Sequence, residues 1–240
     1  MKKLCIIFLS ALFLSFTSPV KRQEKVDLKV SVIVPCVAFH FHHLLPLLKY
    51  YANQTIPPDE VVISLSETEK LKEGEIAFLE NQFWPFKLII IPHAKRKSAG
   101  MNRNIACREA SGDILMLQDA DDVPHPQRVE IVKMLFETYE IDHLIHKFCT
   151  EISAFRPVKR MDLRKYSTYT AIEDTHNGNI VISSKLKRYL QWEDVKKVDH
   201  DIPFNERVYK LFPNTAVLMS PLICYRQPLS AFMHHLQEKQ

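Results

Sequence analysis

The chain has 240 residues, a mass of 28.0 kDa, 46% hydrophobic residues and 25% charged residues. This length and composition suit one large folded domain and exclude a disordered chain. The formal net charge of +4 is too small to indicate nucleic-acid binding. Only four glycines are present, and they are widely spaced. Their spacing excludes a Rossmann dinucleotide loop and a Walker A loop, which both need clustered glycines.

The N-terminus combines two lysines with an apolar run. Lys2 and Lys3 precede the run 4–16 (LCIIFLSALFLSF). A basic start followed by an apolar run of this length is typical of a secretory signal, and the run is short for a membrane span. No A-x-A cleavage site follows it, so residues 1–20 are predicted to be a signal peptide or an uncleaved signal-anchor. This favours an exported or membrane-anchored protein over a cytoplasmic one.

From residue 27 onward, apolar runs alternate with amphipathic segments. Four β-branched, apolar runs predict buried parallel strands, and the amphipathic stretches that separate and follow them predict helices. The predicted strands are 28–36, 60–65, 86–91 and 113–118, and the predicted helices are 42–53, 68–81, 98–110 and 127–140. This order predicts an α/β fold with right-handed crossovers and a mainly parallel, Rossmann-like sheet flanked by helices.

The segment 141–230 has a less regular pattern, which predicts a smaller, mixed second half of the same domain. The predicted elements are strands at 144–149, 179–183, 215–219 and 222–225, helices at 185–190 and 203–211, and a basic loop at 156–169. No repeat or low-complexity linker separates the halves. A single domain over 27–230 is therefore expected, with 27–140 as its first half.

Cysteine and histidine side chains, which bind zinc in many proteins, form no clear zinc motif here. The cysteines after the N-terminal run are Cys36, Cys107, Cys149 and Cys224. Because they are widely spaced and lie in or beside apolar segments, buried free thiols are predicted in preference to disulfides. His40, His42 and His43 follow the first strand without a matching Cys or acidic partner, which favours a polar loop over a zinc site.

Three carboxylates crowd together directly after the fourth predicted strand, as Asp119, Asp121 and Asp122. Ligands of open α/β sheets bind at the carboxyl ends of the strands. One interpretation is therefore a divalent cation that relieves the repulsion between these carboxylates and bridges to a pyrophosphate. The other is an aspartate-rich turn that leads into Pro124.

A basic segment lies upstream of the acidic one. Lys95, Arg96 and Lys97 lead into Ser98, the predicted N-cap of the third helix. A helix N-terminus flanked by cations favours an anionic ligand, and a solvated basic loop is the alternative. Arg103 lies among apolar neighbours, which is harder to explain by solvation alone.

Together these segments resemble the family-2 nucleotide-sugar glycosyltransferases. The segment 100–122 (GMNRNIACREASGDILMLQDADD) is similar to that family's run A-R-N-x-A followed by A-x-G-D/E-x-I-x-F-L-D-A-D-D. The first strand, 30–35 (VSVIVP), is similar to its V-S-V-I-I-P start. The resemblance covers about residues 29–140. It implies the GT-A fold, a nucleotide-sugar donor bound by the first half, an acceptor site in 141–230, and Mn2+ or Mg2+ as cofactor.

The resemblance also implies functions for individual residues. Asp121, assisted by Asp119, is expected to hold the cation. The expected donor-binding residues are Pro35, Ser66, Lys95, Asn102, Arg103, Asn104 and Asp119. A weaker match of 201–207 (DIPFNER) to E-D-x-x-F-x-x-R implies that Asp201 is the catalytic base of an inverting transfer. The acceptor is expected to be a hydroxyl of a glycan, a lipid or a protein.

The chain departs from the family pattern at two places. His200 stands where an acidic residue usually precedes the catalytic aspartate, and 64–67 (SLSE) stands where the family has D-D-G-S. These departures motivate an alternative, a GT-A-like sugar-nucleotide or glycan binding protein without transfer activity. The processive Q-x-x-R-W signature is absent from the sequence, which argues against a polymerising synthase.

Overall fold

A computed structural model describes residues 26–165, 177–189, 191–192, 201–212 and 214–225. The predicted signal segment, 1–20, lies outside them. The strands are β1 (Val30–Val37), β2 (Glu60–Ser66), β3 (Lys87–His93), β4 (Ile114–Leu117), β5 (Val123–Pro124), β6 (His143–Cys149), β7 (Leu163–Lys165), β8 (Ile180–Ser183) and β9 (Thr215–Cys224). The α-helices are α1 (Leu44–Ala52), α2 (Glu75–Glu80), α3 (Ala99–Glu109), α4 (Arg128–Thr138) and α5 (Asp201–Leu211).

All described strands belong to one sheet, in the order β3-β2-β1-β4-β8-β6-β9-β5, with β7 paired to β9. The first four strands are parallel, whereas β8 is antiparallel to both of its neighbours, β4 and β6. Each of β1, β2 and β4 is buried along nearly its whole length. Such continuous Val- and Ile-rich burial is what a parallel sheet covered on both faces requires. The predicted α/β fold with a mainly parallel sheet is confirmed.

Helices cover both faces of the sheet, and alternate residues of β1 divide between the two layers. Val32 and Val34 pack into the larger layer, which contains buried residues of α1, α2 and α4. Ile33 packs into the smaller layer, which contains buried residues of α3 and α5. The sheet therefore lies between two apolar layers, which fix the positions of its strand ends.

Several predicted elements differ from the structure, and one of them, the helix predicted at 185–190, is the 3-10 turn Ser184–Arg188. The predicted helix 68–81 is split, because Gly74 adopts a left-handed φ of 82° and α2 begins only after it. The predicted basic loop 156–169 contains β7, which pairs with β9. The two strands expected at the end of the fold form one strand, β9. It passes Pro221 through shifts in its register with β6, so the proline does not end the strand.

The four described cysteines are free thiols, as predicted, and all except Cys149 are buried. Burial raises the pKa of the Cys107 thiol to about 12, so this thiol is protonated and unreactive at neutral pH. Among the described residues, no helix is both long and apolar enough to cross a membrane.

Candidate active site

The carboxyl ends of the parallel strands form one edge of the sheet. The last residues of β1, β2 and β3 are in register as Val37, Ser66 and His93. The acidic loop, defined here as residues 119–122, follows β4 at the same edge. The first helical turn of α3 reaches this edge as well, and Ser98 caps it by accepting a hydrogen bond from the Met101 amide at 3.2 Å.

Asn102 ties three elements together beneath this edge. Its side-chain oxygen accepts a hydrogen bond from Ser64 Oγ at 2.9 Å. Its Nδ2 donates to Ser66 Oγ at 3.1 Å and to the Cys36 carbonyl at 3.3 Å. Asn102 is fully buried, so its side chain fixes the ends of β1 and β2 against α3. A direct contact between Asn102 and a donor stays a prediction.

Arg103, on the next position of α3, pairs with the acidic loop. Its Nη2 donates to Asp119 Oδ1 at 2.7 Å, and the side chains are 5% and 25% exposed. The structure thus brings together two residues that were predicted separately as donor-binding residues. A charge-assisted bond of this length holds the loop against the helix.

Asp121 points instead toward the segment after β1. Its Oδ2 lies 3.7 Å from His40 Nδ1, and the two side chains are 20% and 18% exposed. His40 belongs to the 3-10 turn Ala38–His43, which contains the whole histidine cluster. Within the described ranges, no group of three or more His, Cys, Asp or Glu side chains is arranged to hold a metal ion.

Asp121 suits a divalent cation better than Asp119 does. The Asp121 carboxylate is partly exposed and supplies the hard oxygen ligand that Mn2+ and Mg2+ prefer. Asp119 already holds Arg103, so it fits a ligand role less directly. Asp121 is therefore the side chain of the acidic loop that suits a cation best.

A buried polar hub, formed by Gln118, Tyr51 and Arg128, supports the acidic loop from below. Gln118 Nε2 donates to the carbonyl oxygens of Asp119 at 2.8 Å and of Asp122 at 3.2 Å. Its Oε1 accepts from the Tyr51 hydroxyl at 2.8 Å and from Arg128 Nη1 at 2.5 Å. One side chain thus joins both ends of the loop to the core.

Arg128 connects the hub to the backbone of β4 and to the backbone just before β8. Its Nη2 donates to the carbonyl oxygens of Leu117 at 2.8 Å and of Gly178 at 2.6 Å. The residue is fully buried. Burial lowers the pKa of its guanidinium, and this is partly offset by the nearby Tyr51 and by Asp122. Arg128 places a positive charge near the carboxylates of Asp119 and Asp122 and, through Gly178, links the acidic loop to the second half of the chain.

Asn104 makes a second link between the halves. Its Nδ2 donates to the Trp192 carbonyl at 2.7 Å, and its Oδ1 accepts from the Trp192 amide at 2.9 Å. The Trp192 ring stacks on Phe204 of α5, with ring centroids 3.8 Å apart. This chain of contacts connects α3 to α5, the helix that begins at Asp201. A direct donor contact for Asn104 stays a prediction.

The remaining predicted residues occupy different positions. Pro35 is buried within β1, and Lys95 is exposed on the loop between β3 and α3. Glu67, which follows β2, has a left-handed φ of 62°, a conformation that an ordinary side chain adopts at an energetic cost. Asp201 is the first residue of α5, not a residue ahead of it. Its side chain lies outside the part of the chain that the structure describes.

Comparison with known proteins identifies the family. The family model of glycosyl transferase family 2 matches residues 31–209. The chain belongs to glycosyl transferase family 2. Its similarity to one relative, the uncharacterized glycosyltransferase MJ1057 of Methanocaldococcus jannaschii, is 23% identity over 188 residues, which are 72% of this chain. The chain spans 62% of that relative's length.

Several solved structures share the fold of this family-2 chain. S. aureus TarS 1–349 in complex with UDP matches with a TM-score of 0.67 at 18% identity, over 82% of this chain and 60% of that one. The mannosyltransferase PcManGT from Pyrobaculum calidifontis, in complex with GDP-Man and Mn2+, matches with a TM-score of 0.58 at 16% identity, over 91% and 63%. The expected GT-A fold is confirmed.

Proposed function

We propose that this family-2 glycosyltransferase transfers a sugar, with inversion, from a nucleotide-sugar donor to a hydroxyl of a glycan, lipid or protein acceptor. The observation that carries the proposal is the acidic loop, held at the carboxyl edge of the sheet by Arg103 on one side and by the buried hub below. Structural neighbours support the donor class, because they are complexes with UDP, UDP-GlcNAc and GDP-Man.

The donor would lie over the ends of β1, β2 and β4. Ser66 and Asn102 shape the floor of this site, and exposed Lys95 supplies a cation for the diphosphate. Arg103 keeps Asp119 oriented. Residues 64–67 stand where the family has the base-binding motif D-D-G-S, so recognition of the nucleobase in this chain would rest on Ser66 and on the backbone around the left-handed Glu67.

A divalent cation, Mn2+ or Mg2+, is proposed as cofactor. Asp121 would hold it, with Asp119 as the second carboxylate. When bound, such a cation offsets the negative charge that develops on the leaving diphosphate. Arg128 lies below the same loop, and its buried charge would reduce the repulsion between the carboxylates in the unliganded protein.

Asp201 is proposed as the general base. The acceptor oxygen attacks the anomeric carbon, the bond from that carbon to the diphosphate oxygen breaks, and the acceptor proton passes to the Asp201 carboxylate. Its position at the start of α5 favours the ionised form, because the helix N-terminus carries a partial positive charge. The residues to test next are Glu193, Asp194 and Asp199, which lie outside the described residues.

The N-terminal segment supports export or membrane anchoring. Residues 1–20 carry the basic start and the apolar run of a secretory signal, so we propose that the transferase acts outside the cytoplasm or at a membrane. Detection of the intact N-terminus in membrane fractions would identify the anchor, and a mature chain that starts after residue 20 would identify a cleaved signal.

The deciding experiment is a screen of UDP-, GDP- and CDP-sugars for Mn2+-dependent thermal stabilisation and for sugar release, on the full chain and its Asp121→Asn variant. The substitution removes a charge and keeps the size of the side chain. We expect the variant to fold, to lose the Mn2+-dependent rise in Tm and to lose transfer. Glu109→Gln, at an exposed position, is the matched control.

The same screen separates transferase from binding protein. Mn2+-dependent stabilisation without sugar release to water or any acceptor would favour the binding protein without transfer activity. Full transfer by Asp121→Asn would remove Asp121 from the cation site and, with it, the proposed use of the acidic loop.

A further inference from the structure

The segments that follow β1 and β4 are neighbours at the carboxyl edge of the sheet, because β1 and β4 are adjacent parallel strands. The 3-10 turn Ala38–His43 follows β1, and the acidic loop follows β4. His40 of the turn faces Asp121 of the loop, with 3.7 Å between Nδ1 of the ring and Oδ2 of the carboxylate. The fold therefore places an imidazole beside the carboxylate that suits a divalent cation best.

The distance between His40 and Asp121 suits two ligands of one ion. A separation of 3.7 Å is too long for a hydrogen bond between these two atoms. Ligand atoms that each lie about 2.1 Å from one cation are roughly 3–4 Å from each other. The two side chains are 18% and 20% exposed, so they are partly shielded from water and still open to a ligand. Both the spacing and the exposure of the pair therefore fit a shared cation.

The other carboxylates of the acidic loop are less suited to join this pair. Asp119 accepts a hydrogen bond from Arg103 Nη2 at 2.7 Å, and Asp122 is only 4% exposed. The His40 ring, in contrast, is oriented by an edge-to-face contact with Phe39, with ring centroids 5.1 Å apart. The side chains that are placed to bind an ion here are thus one carboxylate and one imidazole.

We infer that His40 is a nitrogen ligand of the cation held by Asp121, and that the site therefore prefers a transition-metal ion, Mn2+ or Co2+, to Mg2+. Imidazole is a ligand of first-row transition metals, whereas Mg2+ takes oxygen ligands and loses its water reluctantly. Two protein ligands suffice if diphosphate oxygens of the donor complete the coordination, and in this respect the inference rests on the proposed function. This agrees with the finding that no group of three such side chains is arranged for a metal within the described ranges.

Electron spin-echo spectroscopy of bound Mn2+ tests the ligand directly, because it detects the nitrogen nucleus of a coordinated imidazole. The sample is the full chain with Mn2+ and inorganic pyrophosphate, a probe that contains no nitrogen. We expect the nitrogen signal in wild type and its loss in His40→Asn. His42→Asn, which removes an exposed histidine of the same turn, is the matched control and should keep the signal. Mn2+ bound by wild type without a nitrogen signal, or with the same signal in His40→Asn, would overturn the inference and leave Asp121 as a cation ligand.

Metal affinities supply a second readout, from calorimetric titration of the full chain with Mn2+, Co2+ and Mg2+ at fixed pyrophosphate. His40→Asn should weaken the binding of Mn2+ and Co2+ by at least about tenfold, since loss of even an outer-shell partner of a ligand costs that much. Binding of Mg2+ should change little. His40→Asp, which replaces the nitrogen by a carboxylate oxygen, should shift the preference toward Mg2+. Equal losses for all three ions in His40→Asn would show that His40 only shapes the turn, and would overturn the inference.

The inference and the proposed function fail in different ways. Absence of metal binding by the wild-type chain would remove the cation from the acidic loop, and the ligand function of His40 with it. Metal bound as expected, without sugar transfer, would support the inference and favour the binding protein. Neither readout requires a nucleotide-sugar or turnover, and equal Tm values of the metal-free chains would show that the variants fold.

Discussion

Asp201 is the residue on which the proposed chemistry depends most directly. A single substitution separates its proposed function as general base from a structural function at the start of α5. A general base acts on the acceptor and not on the donor, so Asp201→Asn should leave donor affinity unchanged and lower kcat by about 10²-fold or more. Asparagine keeps the size of aspartate at the first position of α5, and loss of one negative charge beside a helix N-terminus costs only about 0.3–1 kcal/mol, so α5 should stay folded. Donor affinity is measured by calorimetry and kcat by steady-state transfer.

An Asp201→Asn enzyme with normal kcat would show that Asp201 is only the start of α5. The same two measurements on Glu193→Gln, Asp194→Asn and Asp199→Asn would then locate the base. A fall in donor affinity without a change in kcat would place Asp201 at the donor.

Gln118 stabilises the fold through buried hydrogen bonds that only the structure shows. The resembled family motif has leucine at this position, whereas Gln118 is the acceptor for Tyr51 and Arg128. Gln118→Leu removes that acceptor from the Tyr51 hydroxyl and from one N–H of Arg128 Nη1, while the bond from Nη1 to the Tyr51 oxygen remains. The expected cost is about 1–3 kcal/mol in the free energy of unfolding. It also frees the carbonyls of Asp119 and Asp122, so donor affinity should fall.

Urea denaturation and donor titration of Gln118→Leu measure both effects. Gln82→Leu, an exposed glutamine in the turn before β3, is the matched control and should change the free energy of unfolding by less than about 0.5 kcal/mol. If Gln118→Leu behaved like this control, the hub would contribute nothing to the acidic loop.

At the scale of elements, the sequence predicted the first half well and the second half less well. The strands β1 to β4 and the helix α3 follow from β-branched runs and from a capping serine, which are local signals. Glycine at position 74 was available as a signal that helix 68–81 would break, and its left-handed φ supplies the reason. The strand β7 is short and basic, and only its pairing with β9 makes it a strand.

The candidate site shows the same division between local and distant signals. The acidic loop and α3 are close in sequence, so motif spacing was enough to assign Arg103 and Asp119 to one site, but it did not predict the ion pair between them. The hub was missed, although a glutamine at the end of a buried apolar strand was a usable signal. The partner of Asn104 is the backbone of Trp192, far along the chain, and no spacing rule predicts such a contact.

The amino ends of β1, β2 and β4 are held by Glu60, which receives several hydrogen bonds. Its carboxylate accepts from Ser31 Oγ at 2.6 Å, from the Ser111 amide at 2.5 Å and from Ser111 Oγ at 2.8 Å. Gly112 fits against this cluster because a Cβ there would lie 2.4 Å from Ser31 Oγ. Burial alone would raise the pKa of Glu60, but the hydrogen bonds from Ser31, Ser111 and Gly112 outweigh it and lower the pKa.

A lowered pKa means that Glu60 stabilises the fold above the pKa of the unfolded chain and loses this effect as the pH falls through its folded value. Glu60→Gln should therefore reduce the free energy of unfolding by about 1–3 kcal/mol at pH 7. The difference from wild type should shrink below pH 4. Chemical denaturation from pH 3.5 to 7 measures it, with exposed Glu80→Gln as control, and a difference that is constant with pH would contradict the assignment.

At the scale of the whole molecule, stability depends on pH through histidines that are buried in the fold. Two of them are His143, in β6, and His125, just after β5. Burial lowers the pKa of His143, on β6, to about 4. Burial also lowers the pKa of His125, which is only partly offset by its hydrogen bond to the Arg156 carbonyl. The His143 ring lies beside Thr215 of β9, with 3.4 Å between its Nδ1 and the Thr215 Oγ1, and the His125 ring lies 3.0 Å from the Arg156 carbonyl, so protonation of either ring disturbs packing inside the fold.

The sign of the resulting pH dependence follows from linkage. Below about pH 6.5 the unfolded chain protonates these histidines, while folded His143 stays neutral until about pH 4. The unfolded state therefore binds more protons, and the free energy of unfolding falls with decreasing pH by up to about 1.4 kcal/mol per pH unit for each such histidine. Between pH 6 and 4.5, His143→Gln should make the free energy of unfolding less dependent on pH, by up to about 1.4 kcal/mol per pH unit. This holds whatever the stability of the variant at pH 7. Gln82→Leu, an exposed substitution that changes no titratable group, should leave the slope unchanged. Because the slope and not the absolute stability is compared, a general loss of packing in His143→Gln cannot imitate the effect, and equal slopes in wild type and variant would show that His143 titrates alike in both states.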